Sequence, residues 1–491
     1  MPSAPGDTDR AQVLVIGSGA GGAVVALELA ARGLDVVVLE EGGAFELSDY
    51  GAAPTVAMRQ LYRRRGMTPI LGSVPIGYVE GCCLGGSTEI NSGFWHRTPP
   101  EVLVRWQAER GLDVSASELA AHFDWAEAEL GVGLSQAPWP ASTQAFARGA
   151  EAMGWSAWEV PRAAPGCQHT NACAQGCPTG AKRGMSRSLL PKAREAGARL
   201  ISGARVVRLL LRRGRAEGAL VRVHDERGTA RLLRILAEHV FVCCGPTETP
   251  SLLLRSGVRY HVGNTLRVHP YLKLAALFPE AMQSQSSVLP LLQVKEFWPE
   301  LSLGGAYFGR GQLAMTLSDN WPQNQGLMRD SQNMAQYYVG VRGTGKGWVR
   351  PTALGDDATL VRYELSKADL RHLSVGLARL CELLLHAGAS ELFPSIWGVG
   401  PFKRSGDAAH WLTRDLPRSA LSLVTVHAFS SCPAGEQQAW SAVNSAGKVW
   451  RYENLYLADA SVLPDSPGVN PQGTIMALAR HNALAFASAL R

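Results

Sequence analysis

The sequence is short of the features that would send a chain to a membrane, an oxidising compartment or a nucleic acid. Its nine cysteines are an odd, unevenly spread set with adjacent pairs at Cys82/Cys83 and Cys243/Cys244, which is not the spacing of a disulfide framework. Reduced thiols are expected. The opening "MPSAPGDTDRAQ" has no basic segment leading into an apolar core and a small-residue cleavage site, so no secretory or transit peptide is read there and the expected location is cytoplasmic. One apolar run, residues 13–31, carries only Ser18 and Glu28 as polar side chains, yet four glycines within six positions break it as a spanning helix. No transmembrane segment is expected. Lys and Arg total 48 against 42 Asp and Glu, and the resulting +6 is scattered through pieces such as "LYRRRG" and "LLLRRGRAEG", which argues against a nucleic-acid partner. There is no internal repeat and no low-complexity tract. What remains is a globular chain of 491 residues, 46% of them hydrophobic, enough to fill a large core in one to three domains.

What the first forty residues do hold is a glycine turn in a strand-turn-helix-strand setting. Val13–Ile16 suit a buried parallel strand, Ala20–Ala31 are strong helix formers, and Gly33 stands just past the helix end. Between them Gly17, Gly19 and Gly22 have the G-x-G-x-x-G spacing: the first permits a tight turn, the second lets backbone amides approach a pyrophosphate, and the third lets helix and strand pack closely. Glu40 closes the second strand, eighteen residues after Gly22, where a carboxylate can accept from a ribose diol. The unit reads as a dinucleotide site and leaves NAD or FAD open. A second fingerprint in such a setting is missing, and reduction of a flavin by a pyridine nucleotide commonly needs two. Electrons are therefore expected directly from an organic substrate.

At the other end, "VHAFSSCPAG" is followed by "ENLYLADASVLPDSPGVNPQGTIMALARHNALAFA". A strand ends at Asp459, Pro464 to Gly468 turn the chain, and a helix over Thr474 to Leu490 begins after "NPQG", which puts Asp459 and Asn470 near a helix N-terminus. With "GCCLGGSTEINSGFWHRTP" from Gly81, "GARVVRL" from Gly203 and "VFVCCGPTETPSLLLRSG" from Val240, these blocks resemble the glucose-methanol-choline (GMC) oxidoreductases, FAD enzymes that oxidise alcohols. The similarity is spread over most of the chain in five collinear motifs. The stretches "GCPTGAKRG" and "ATLVRYELSKADLRHLSVGL" look most like the branch of long-chain alcohol oxidases and bacterial cholesterol oxidases.

The resemblance implies that Gly17, Gly19, Gly22 and Glu40 hold the ADP half of FAD and that Val206 meets the adenine through its backbone. Gly85, Gly86, Ser87 and Asn91 would lie along the pyrophosphate and flavin, while Asp459, Asn470 and Gly473 would flank the ribityl chain and ring. His427 falls on the catalytic histidine and Asn470 on the second active-site position, where other branches have histidine. The chemistry agrees: oxidising an alcohol removes a hydride, which flavin N5 accepts, and a hydroxyl proton, which needs a base such as histidine. Asn470 cannot be that base, but its amide can orient the substrate oxygen. His96 and His481 lie outside the motif. One departure stands near the base: Ser430 occupies a position that is glycine in the family, and its side chain is expected to narrow the pocket or shift the base.

The implied fold is α/β, a Rossmann-like FAD-binding domain from residues 1–261 and 421–491 that includes the cysteine loop 166–184. The substrate-binding domain, 262–420, is read as an inserted α+β unit, an antiparallel sheet backed by helices such as Ser366–Ala387. Strands are read near 199–212, 217–224, 230–235 and 238–244, and helices near 104–131 and 247–257. Partners would be a small-molecule alcohol, apolar on the strength of the resemblance, and either O2 or a redox partner as electron acceptor.

The loop "CQHTNACAQGCPTGAKRG" places Cys167, Cys173 and Cys177 within reach of one another. Such loops can hold iron-sulfur centres, and a sugar-oxidising subgroup of the same family has a three-cysteine 3Fe-4S cluster on the corresponding loop. Thiols that merely brace a loop beside the flavin domain, a disulfide, or zinc with His169 are the other readings. The alternatives for function are accordingly a dehydrogenase passing electrons through a cluster to a cytochrome or quinone, a flavin-binding subunit without catalysis, and flavin chemistry on a carbon-carbon bond.

Overall fold

The apolar run near the start of the chain becomes the strand Thr8–Ile16, in which Val13, Leu14 and Val15 have no exposed surface. A computed structural model describes residues 8–224, 228–352 and 358–490. Thr8–Ile16 pairs in parallel with Val36–Leu39 on one side and Ala230–Val242 on the other, and Leu455–Leu457 also runs parallel to Ala230–Val242. Arg199–Ile201 extends the sheet beyond Val36–Leu39, while Arg215–His224 and Arg205–Arg212 continue it in antiparallel fashion at the opposite edge. The expected strand over 199–212 is therefore two: at Gly203 the chain leaves one edge of the sheet and joins the other. The expected pair 230–235 and 238–244 is instead one strand, since the ladders to Thr8–Ile16 and Arg215–His224 overlap along it.

Helix Ala20–Ala30 packs on Gln472–Ala489, which packs in turn on Ala116–Leu130. All three bury small or aliphatic residues into one core with the sheet. Each fully buried Val or Leu there contributes roughly 1.5–3 kcal/mol over its exposed state.

The second sheet follows the order Tyr62–Ile70, Ile76–Gly81, Leu423–Thr425, Tyr271–Leu277, Met334–Val341, Leu301–Gly305, Leu292–Val294, Ala157–Glu159, and all of its pairs but one are antiparallel. Helix Lys367–His386 backs it, started by a capping box in which Ser366 Oγ accepts from the Asp369 amide and Asp369 accepts from the Ser366 amide. Alternation along Met334–Val341 sends Tyr337 into this core, stacked on Phe146 at 5.5 Å, and Tyr338 to the other face. The sheet draws three of its strands from before residue 262. This is the α/β sheet plus antiparallel sheet backed by a helix that the resemblance implies. Among the described residues no helix is long and apolar enough to cross a membrane.

Candidate active site

A cavity of about 710 Å³ runs between the two sheets, from the glycine turn to the face of the second sheet. Gly17 turns the chain with φ +102°, and a Cβ there would lie 2.3 Å from Cys243 O. At Gly22 a Cβ would stand 1.9 Å from Gly17 O, so the helix sits directly on the turn. Gly19 differs from both: a Cβ there would meet no heavy atom within 4 Å, because its open side faces the cavity. The first turn of Ala20–Ala30 carries unpaired backbone N–H groups toward that space, a setting for an anionic phosphate.

Glu40 is buried at the cavity wall and accepts from Ser18 N at 3.1 Å, Ser18 Oγ at 2.6 Å and Gly42 N at 2.8 Å. Burial raises its pKa against the lowering effect of those bonds. Ser18 Oγ also accepts from Gly85 N at 3.0 Å, tying the fingerprint to the second glycine loop. Gly86, Ser87 and Asn91 line the cavity, with Ser87 Oγ accepting from Gly81 N and Asn91 Nδ2 donating to Gln472 Oε1 at 2.6 Å. Val206 lines it beside Arg205, whose guanidinium pairs with Glu41 and Glu248. Asp459 is held by Gly245 N, Thr249 Oγ1 and Ser461 N. Gly22, Gly85 and Gly473 do not line the cavity; a Cβ at Gly473 would fall 2.4 Å from His96 O, so that glycine serves packing.

On the sheet face, His427 and Asn470 meet, with Asn470 Nδ2 3.3 Å from His427 Nε2. His427 Nδ1 lies 3.1 Å from His269 Nδ1 and 3.0 Å from the Tyr271 hydroxyl. Donor directions favour one pair of tautomers, in which the Tyr271 hydroxyl accepts from the same His427 Nδ1–H that reaches His269. Ser466 Oγ donates to Arg342 O, so its oxygen accepts from His269 Nε2–H at 2.8 Å; His269 Nδ1 then carries the lone pair and accepts from His427 Nδ1–H. His427 Nε2 is left unprotonated beside Asn470. Burial lowers the His427 pKa to about 3 and holds that of His269 well below its ordinary value, so both rings are neutral.

Two sequence profiles described as GMC oxidoreductase match residues 13–271 and 349–479. The chain is 38% identical over 471 residues to y4nJ of Sinorhizobium fredii, an uncharacterized GMC-type oxidoreductase, spanning 96% of this chain and 93% of that one. The chain belongs to the GMC oxidoreductase family. It is also similar to the long-chain-alcohol oxidase FAO1 of Arabidopsis thaliana, at 28% identity over 95% of this chain and 65% of the plant protein. Among solved structures, a variant of Aspergillus oryzae formate oxidase superimposes with a TM-score of 0.75 at 14% identity, covering 99% of both chains. Pyridoxine 4-oxidase from Mesorbium loti does so with a TM-score of 0.69 at 16% identity, covering 98% of this chain and 99% of its own.

In this GMC oxidoreductase the three loop cysteines are engaged by protein donors. Arg162 Nη1 and Nη2 reach Cys167 Sγ at 3.4 Å and Cys173 Sγ at 3.5 Å, and Cys177 Sγ takes the Lys182 amide at 3.4 Å beside Thr179 Oγ1. Burial works to raise the Cys177 pKa, but those hydrogen bonds outweigh it and the thiol is lowered. A cluster needs three sulfurs turned to a common centre; here two turn to Arg162 and one to the Lys182 backbone. Buried Lys182 completes a brace, its Nζ donating to Glu89 O, Asn91 O and Cys173 O at 2.6–2.9 Å. Among the described residues the side chains grouped closely enough for one metal ion are Glu118, His122 and His481, and Arg480 Nη1 donates to His122 Nδ1. His169 is 3.4 Å from Ser135 Oγ. His96 binds Gln293 away from the cavity lining.

His269, Tyr271 and Ser466 escape the sequence reading. The one signal for the first two is "HPY" at the start of a strand, and the pairings of Val268 with Ala428 and of Tyr271 with Val424 bring it to His427.

Proposed function

We propose that the protein is an FAD-dependent alcohol oxidoreductase in which His427 Nε2 takes the hydroxyl proton and Asn470 orients the substrate oxygen. The observation that carries this is the hydrogen-bond chain Arg342–Ser466–His269–His427, which supports an unprotonated Nε2 at a cavity whose other end has the form of a dinucleotide cradle. The cradle suits FAD: Gly19 leaves room for a pyrophosphate, the Glu40 carboxylate stands at the ribose position, and Val206 and Asp459 lie along the same wall. FAD, when bound, supplies the acceptor for the hydride. The alcohol oxygen would sit over the His427–Asn470 pair, within reach of both groups and not between them, since their nitrogens are 3.3 Å apart, and a neutral imidazole accepts its proton as negative charge builds on oxygen.

The cofactor side is assigned to residues 8–261 and 421–490 and the substrate side to 262–420, joined by the strands Tyr62–Ile70, Ile76–Gly81, Ala157–Glu159 and Leu423–Thr425. Phe94, Leu289, Met315 and Val426 on the cavity wall support an aliphatic substrate, in keeping with the likeness to long-chain-alcohol oxidases. The cysteine loop acts as a brace for Glu89 and Asn91, and no electron step is routed through it. A plain flavin spectrum without iron by elemental analysis is the expected result. The reading as a subunit without catalysis leaned on Ser430, and that side chain does not line the cavity.

The test is anaerobic mixing with primary alcohols. Replacing His427 by Ala slows flavin bleaching by about a hundredfold or more with FAD still bound; unchanged bleaching overturns the assignment. Oxygen uptake against dye reduction then identifies the acceptor.

A further inference from the structure

The cavity wall holds a shielded lysine that the mechanism above does not use. Lys273 stands two residues beyond Tyr271 on the strand Tyr271–Leu277, about 7 Å along it, so both side chains leave the same face. Tyr271, Lys273 and Tyr338, its register partner on the next strand, all line the cavity. Lys273 is largely shielded from bulk water, and what surface it keeps opens into that space.

Among the described residues its ammonium makes no hydrogen bond and no ion pair. Two buried guanidinium groups in the same wall are matched: Arg63 by Glu41 and Glu80, Arg205 by Glu41 and Glu248. The groups facing Lys273 carry no negative charge. Its own strand offers the Tyr271 phenol, the next strand the Tyr338 phenol, helix Arg310–Leu317 offers Gln312 and Met315, and Leu423–Thr425 offers Val424. His427, beyond Tyr271, is neutral. Asp319, just after that helix, gives its carboxylate to Ser422 Oγ at 2.6 Å. An unmatched ammonium in such a place is costly unless something that enters the cavity compensates it.

We propose that Lys273 is a specificity-determining subsite for a carboxylate on the substrate, so that the alcohol oxidised beside His427 is a hydroxy acid whose two ends are separated by an aliphatic stretch. This rests on the proposed function. The apolar wall fits the spacer, and one ammonium without a neighbouring guanidinium matches a single carboxylate better than a phosphate dianion. Burial lowers the amine to about 8, so it is mostly charged at neutral pH and loses its proton just above. Binding of a carboxylate therefore weakens as pH rises through that value.

The experiment uses the FAD-loaded protein with 1-octanol, 8-hydroxyoctanoate and octanoate. Wild type is expected to prefer 8-hydroxyoctanoate over 1-octanol in kcat/KM for flavin bleaching, and Lys273→Met to reduce that ratio by about thirtyfold or more, with Lys273→Arg restoring part of it. Octanoate, which cannot be oxidised, is expected to perturb the flavin absorption of wild type with an affinity that falls above pH 8, and to bind Lys273→Met far more weakly. Equal ratios in wild type and Lys273→Met, or octanoate binding equally to both, overturns the subsite while bleaching by 1-octanol keeps alcohol oxidation standing. Lys273-dependent octanoate binding without bleaching by either alcohol keeps the subsite and sinks the oxidation.

Discussion

His269 Nδ1 stands 3.1 Å from His427 Nδ1, and the two imidazoles meet nearly edge to face with an interplanar angle of 83°. Two identical ring nitrogens can share one hydrogen only if their outer nitrogens differ, and Ser466 supplies the difference by accepting from His269 Nε2. A hydroxyl two groups away thus favours the His427 nitrogen that the proposed role of base requires.

Removing that hydroxyl frees the relay to reverse. Ser466→Ala is expected to slow flavin reduction by about ten- to a hundredfold, with the loss in kcat more than in KM and FAD retained. Ser466→Thr restores most of the rate, because it keeps the hydroxyl. Stopped-flow reduction of the three proteins checks this, and an alanine variant as fast as wild type would contradict the relay.

Acid acts on stability before it acts on the base. Burial lowers His96 and His427 to about 3 and His122 to about 4, below the value of about 6.5 expected of an unfolded histidine. The folded state therefore binds fewer protons, and the stability tied to these neutral rings is fully present above pH 6.5 and lost as pH falls toward the folded values. Each such ring removes up to about 1.4 kcal/mol per pH unit in that window, less where water reaches it. Denaturant melts from pH 7 to 4 should steepen accordingly, and His427→Asn should flatten the slope. The rate of flavin reduction should show no acid limb near 6.5.

Ser430 holds φ +63°, in the left-handed region, with its buried Oγ in no hydrogen bond. Both features cost stability, and glycine removes both at the expense of a looser unfolded chain. Ser430→Gly is expected to raise unfolding stability by about 1 kcal/mol and to leave the rate of flavin bleaching near that of wild type. A destabilised variant would mean that the serine has a partner in solution.

The two fingerprint glycines should fail in different ways. Gly22→Ala drives a methyl onto Gly17 O and is expected to cost several kcal/mol or prevent folding. Gly19→Val meets no protein atom at Cβ, so the chain folds with a normal circular dichroism spectrum but comes off the column with little or no FAD. Flavin content per folded protein separates the two.

The glycine turn was legible because its signals are local: Gly17, Gly19, Gly22 and Glu40 lie within one strand-turn-helix-strand unit, and an added Cβ would clash at Gly17 and Gly22 but meet nothing at Gly19. His427 and Asn470 were legible as motif positions, and the fold brings them together. The relay was not, because His269 reaches His427 across 158 residues through strand pairing, and nothing local marks Ser466. Ser430 could be noticed but not interpreted: its φ sends the side chain into the packed interior instead of the cavity. Lys273 left a trace, a lone charge in the buried strand "YLKLAAL", but whether it meets a partner depends on elements far along the chain.

The Arg480 guanidinium grips Glu28 across 452 positions, and a Cβ at Gly21 would strike Ala458 O, so the helix Ala20–Ala30 is seated by residues made long after it. A growing chain can form the βαβ unit before the segment that seats its helix exists. On the proposed function, flavin capture waits until that later segment has docked.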